Sequence, residues 1–138
     1  MKQVLLAVAL VLVASAAFSQ VSASATPAAK ADMAIAAFDA QTFDFGKVKQ
    51  GTPVTHEFKF TNSGGVPLII TNVQASCGCT TPDWSRDPIA PGAQGFIKAT
   101  YSAASPGNFN KSVTVMANVE GGTVQLMIRG EVLTATPQ

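Results

Sequence analysis

Two cysteines, Cys77 and Cys79, stand two positions apart in a chain of 138 residues that carries a single histidine, a single tryptophan and a single tyrosine. On a strand, residues two apart project to the same side, which brings both sulfurs to one place. Fully extended backbone sets such Cα atoms about 6.6 Å apart, and the Cβ atoms similarly far, beyond the about 4 Å that a disulfide needs. A bond between them therefore requires a bend, which Gly78 permits. So small a ring restricts the unfolded chain by only about 1.5 kcal/mol. The bond would be a readily reduced pair rather than a staple. Kept reduced, two thiolates suit a soft ion such as Cu(I). The bland alternative is two small, buried, inert side chains, and the spacing alone leaves all three open.

The rest of the chain offers little to a catalyst. His56 is the only base of its kind for a Ser or Cys nucleophile, and its parity with Phe58 and Phe60 points to a packed, hydrogen-bonded residue near a strand start rather than to catalysis or metal ligation. No Gly-x-Ser-x-Gly elbow and no phosphate-cradling glycine loop occurs. Asp83 and Asp87 flank Trp84-Ser85-Arg86 in what reads as a loop, where a solvated charge or an Asx turn is expected. No catalytic residue and no cofactor follow from these residues. The metal reading rests on Cys77 and Cys79, with thioether help from Met116 and Met127 if they face each other.

What positions these residues must be built from strands. Charged residues make up 12% of the chain, against about a quarter in a typical domain, and 11 Gly and 8 Pro punctuate runs of Val, Thr, Ser and Ala. Val54, His56, Phe58 and Phe60 alternate with Thr55, Glu57 and Lys59, a half-buried strand. Val66 to Val73 carries the β-branched residues of a second. From Gly95 to Tyr101, Ile97, Ala99 and Tyr101 fall on one side and Phe96, Lys98 and Thr100 on the other. Phe43, Phe45 and Val48 mark a weaker strand near the start. Gly121-Gly122 reads as a two-residue turn accepting positive φ at both positions. That turn pairs Glu120 with Thr123, Val119 with Val124, Ala117 with Leu126 and Met116 with Met127. Six or seven short strands without a convincing helix predict an antiparallel sandwich.

The first residues are read as an address rather than as fold. Met1, Lys2 and Gln3 precede the apolar run Val4 to Val13 and a small-residue stretch, the order of a cleavable export signal. The favoured cut follows Ser19, with Ala16 and Ala23 as alternatives. The run is shorter than the roughly 20 residues a bilayer core requires. Residues 1–19 are thus expected as a signal peptide and 20–35 as an Ala/Ser/Pro-rich leader, with a short helix through Ala28 to Ala37 as the alternative for its end. Residues 36–134 form the sandwich and 135–138 a polar tail. After cleavage the basic and acidic side chains balance, and Lys47-Val48-Lys49 is the densest basic cluster, so nucleic acid is an unfavoured partner.

At this point the residues resemble a family. Phe43-Asp44-Phe45-Gly46-Lys47-Val48, Gly51, Phe58-Lys59-Phe60-Thr61-Asn62, Pro67-Leu68, Ala75-Ser76-Cys77-Gly78-Cys79-Thr80, Trp84 and Ile89-Ala90-Pro91-Gly92 are similar to the bacterial domain-of-unknown-function family 1573. The resemblance covers about residues 38 to 133. It implies an immunoglobulin-like sandwich, exported in bacteria, and sets Cys77, Gly78, Cys79 and Thr80 at the family's hallmark position. It implies no activity. The expectation is an all-β, immunoglobulin-like antiparallel sandwich of about seven strands. It is expected in the periplasm or outside the cell, with no transmembrane segment once mature, as a non-catalytic module binding a protein or envelope component. The alternative is a small thiol-redox or Cu(I)-binding protein using Cys77 and Cys79.

Overall fold

The computed structural model describes residues 32–135, and every regular element among them is a strand. The export signal, the cut after Ser19, most of the leader and the last three residues lie outside the described residues. Alternation builds the first sheet. In β3 (Val54–Asn62) Phe58 and Phe60 are buried while Thr55 and Lys59 are exposed. In β6 (Gln94–Tyr101) Ile97, Ala99 and Tyr101 are buried and Phe96, Lys98 and Thr100 lie on the other side. The two strands pair antiparallel with Phe58 opposite Ile97. β1 (Ala36–Phe38) and β5 (Thr80–Trp84) flank them, giving the order β1-β3-β6-β5.

The second sheet is β2-β8-β7-β4, built from β2 (Thr42–Lys49), β4 (Ile70–Ala75), β7 (Gly107–Ala117) and β8 (Thr123–Leu133). Val113, Leu126 and Ile128 from this sheet are fully buried against Phe58, Phe60 and Ile97 from the first. Burying each such side chain contributes about 1.5–3 kcal/mol. The arrangement is an immunoglobulin-like sandwich. One pair departs from the antiparallel expectation, since β2 runs parallel to β8, with Thr42 opposite Met127 and Lys49 opposite Leu133. No crossover helix is needed because the rest of the sandwich lies between these two strands in sequence.

The final hairpin keeps the expected faces and shifts the expected partners. Met116 pairs with Thr123, Val115 with Val124, Val113 with Leu126 and Ser112 with Met127. Gly121 and Gly122 do take positive φ, 75° and 74°, but the loop spans Ala117 to Gly122, closed by Ala117 N donating to Gly122 O at 3.1 Å. The cause lies in Asn118 and Val119, which are drawn away from the ladder. Asn118 Oδ1 accepts from Ile69 N at 2.7 Å, its Nδ2 donates to Pro67 O at 3.0 Å, and Val119 bridges to Ala34. Met116 and Met127 are consequently not opposed, and stand about 13 Å apart along the ladder.

Two further differences concern elements read as something else. Thr80–Trp84 forms edge strand β5 rather than a loop, which Pro82 tolerates because an edge leaves its missing donor without consequence. Within the described part of the leader no helix forms, and Ala34 is fully buried. Asn62 ties that entry to the body. Its side chain is 0% exposed, with Oδ1 accepting from Ile35 N at 3.3 Å and Gly64 N at 3.0 Å, and Nδ2 donating to Val66 O at 2.8 Å and Ile89 O at 2.9 Å. All the hydrogen-bonding capacity that burial would otherwise penalise is matched.

Candidate functional site: the Cys-Gly-Cys corner

β4 leaves one sheet at Ala75 and β5 enters the other at Thr80, so Cys77-Gly78-Cys79 forms the corner between layers. Each side of the corner is fastened to its own sheet. Ser76 N donates to Ser112 O at 2.9 Å and Ser112 N donates to Ser76 Oγ at 3.1 Å. On the other side, Ser102 N donates to Cys79 O at 2.9 Å. Between them Thr80 N donates to Cys77 O at 3.3 Å, a tight turn. The turn brings the two Cα atoms to 5.2 Å, and the sulfurs form a disulfide. That is the bend which an extended strand would have denied the pair.

The two sulfurs have different surroundings. Both cysteines are half-buried, but Cys79 packs against the buried core and Cys77 has Thr80 Oγ1 at 3.7 Å. Thr80 itself is 4% exposed and opposes Tyr101 at the start of β5. Gly78 is exposed, and a Cβ placed on it would meet nothing within 4 Å. With both sulfurs in a disulfide, neither is available as a thiolate ligand. Among the described residues no group of three or more His, Cys, Asp or Glu side chains is placed to hold a metal ion.

The other residues singled out in the sequence fall in separate places. His56 stacks on Phe43 with ring centroids 3.6 Å apart and packs edge-on against Phe58 at 4.6 Å. Burial lowers its pKa below 6.5, partly offset by the neighbouring Glu57 carboxylate. Asp83 Oδ1 accepts from Trp84 N at 2.9 Å and pairs with Arg86 at 3.4 Å, while the Arg86 guanidinium covers the Trp84 ring at 3.6 Å. Cys77, His56 and Asp83 are therefore not assembled into one centre.

Sequence reasoning missed a second feature at the end of the sandwich where the chain enters. Met33, Ala34, Ile35, Ala36, Val119, Glu120 and Val124 line a mostly apolar groove of about 400 Å³. Met33 remains 37% exposed there. No periodicity signals it, because it arises from the Ala34–Val119 bridge between segments distant in sequence. Among the described residues no helix is long and apolar enough to cross a membrane.

Comparison with known proteins agrees with this architecture. The family described as "Protein of unknown function (DUF1573)" matches residues 36–132. No protein of curated function matches the sequence. The fold is similar to a protein of unknown function from Porphyromonas gingivalis W83, at 16% identity and TM-score 0.66, covering 75% of this chain and 49% of that one. The chain thus spans about half that protein's length. It is similar also to the ASH/PapD-like domain 7 of human CEP192, at 8% identity and TM-score 0.61, covering 73% of this chain and 87% of that one. A third likeness is to the secreted serine protease VesC from Vibrio cholerae, at 19% identity and TM-score 0.57, covering 74% of this chain and 24% of that one. At these identities the likeness is one of fold.

Proposed function

Since the chain belongs to the DUF1573 family, whose function is unknown, we propose on the strength of its own surfaces that it is an exported, non-catalytic immunoglobulin-like module that binds a protein or another component of the bacterial envelope. The observation that carries this reading is the mostly apolar groove lined by Met33, Val119, Glu120 and Val124, open among the described residues at one end of the sandwich. A mostly apolar groove of this kind offers packing to a partner. The reading is supported by His56, which is stacked on Phe43, and by Asp83, which is paired with Arg86. The balanced charge and the Met1–Val13 export pattern support a neutral partner outside the cytosol.

The test is quantitative affinity capture from native envelopes, comparing the full chain with a Val124→Lys variant of unchanged thermal stability. A partner retained by the first and lost by the second is expected. A hydrolase or transferase activity abolished by His56→Ala, or a mature product confined to the cytosol on fractionation, would overturn the proposal.

A further inference from the structure

The Cys77–Cys79 bond holds a turn that other bonds already hold. Ser76 is fastened to Ser112, Cys79 O to Ser102 N, and Cys77 O to Thr80 N. With the cysteines two apart in sequence, the bond closes a loop too short to restrict the unfolded chain substantially. A disulfide that stabilises so little is free to serve exchange. Its sulfurs are also unequal: Cys79 packs against the core, and Cys77 lies beside the Thr80 hydroxyl. Gly78 has its φ outside the left-handed region and open space above it, so this turn does not require glycine for its backbone. The residue between the two cysteines is exposed and carries no side chain.

We propose that Cys77–Cys79 is a thiol–disulfide exchange site, attacked at Cys77 by an external thiolate. The incoming sulfur bonds to Cys77 Sγ, the Cys77–Cys79 bond breaks, and its electron pair leaves on Cys79 Sγ, which takes a proton from water. A second external thiolate then attacks the incoming sulfur and displaces Cys77 as a thiolate, toward which the Thr80 hydroxyl can donate. One protein disulfide is reduced to two thiols and two external thiols are oxidised to one disulfide. The co-reactant is a thiol, either small or carried by a protein. The proposal stands apart from the interaction reading: a chain that exchanges thiols but captures no partner fails that reading alone.

The experiment incubates the native, oxidised chain with millimolar reduced glutathione, or separately with reduced thioredoxin, and counts thiols by alkylation and mass spectrometry. Reduction within minutes, with the circular dichroism spectrum unchanged, is expected. Reduction by both reagents assigns a small thiol, and reduction by thioredoxin alone assigns a protein thiol. A bond that yields only after denaturant is added overturns the proposal. Direction is read from single variants treated with glutathione disulfide: Cys79→Ser, retaining Cys77, should form the mixed disulfide about tenfold faster than Cys77→Ser. Equal or reversed rates overturn the assignment of Cys77. Gly78→Leu, with unchanged melting temperature, should slow reduction, and an unaltered rate removes the approach argued from Gly78.

Discussion

Phe43 of β2 and His56 of β3 lie face to face across the space between the two sheets, 3.6 Å apart and 7° from parallel. A neutral imidazole suits this contact, and desolvation by burial lowers its pKa below 6.5 against the smaller opposing effect of Glu57. Because the folded value lies under the unfolded one, the stability it contributes is present above about pH 6.5 and is lost as pH falls through the lowered folded value. Urea midpoints measured from pH 7.5 downward should fall across that window. His56→Phe should flatten this part of the profile.

Replacing Asn62 by Leu should be among the most damaging single changes. It leaves Ile35 N, Gly64 N and Val66 O without their Asn62 partner in a partly buried setting, and Ile89 O with Leu68 N alone. The expected loss is about 2–4 kcal/mol, read from denaturant unfolding with an unchanged m-value.

Gly122 has φ of 74°, which a β-branched side chain resists. Gly122→Val should therefore cost about 1–2 kcal/mol in chemical denaturation. An unchanged midpoint would mean that the 117–122 loop is not built as described.

The hairpin register can be checked by chemistry. Ser112 faces Met127 directly, so the pair Ser112→Cys and Met127→Cys should oxidise to a disulfide, detected by mass. The pair Met116→Cys and Met127→Cys should not.

Removing both sulfurs should be mild. Cys77→Ser with Cys79→Ser should lower stability by about 1.5 kcal/mol or less, since the Ser76, Cys79 and Thr80 backbone bonds keep the corner in place. Thermal melts of the variant beside the oxidised chain measure it.

Faces were legible in the sequence, and offsets along them were not. Parity alone placed Phe58, Phe60, Ile97, Ala99 and Tyr101 on the buried side. The same parity left the Val113–Leu126 and Val113–Gly130 pairings equally acceptable, because a shift by an even number of residues preserves every face. What decided between them was Asn118 reaching Pro67 and Ile69, a contact between distant segments. β5 escaped notice because Pro82 and Asp83 are poor strand residues that an edge position tolerates. At the corner, the need for a bend at Cys77-Gly78-Cys79 was readable, but the inequality of its sulfurs depends on which one the core reaches. Nothing local to Asn62 discloses that Ile35 and Ile89 share its side chain.

The parallel contact of β2 with β8 has a mechanical consequence. Tension drawing the Thr42 end of one strand away from the Leu133 end of the other acts along the strands, so the rungs between Thr42–Met127 and Lys49–Leu133 bear load together in shear instead of peeling singly. Stretched between two anchors, the sandwich would hold by this seam and give way abruptly once it slid.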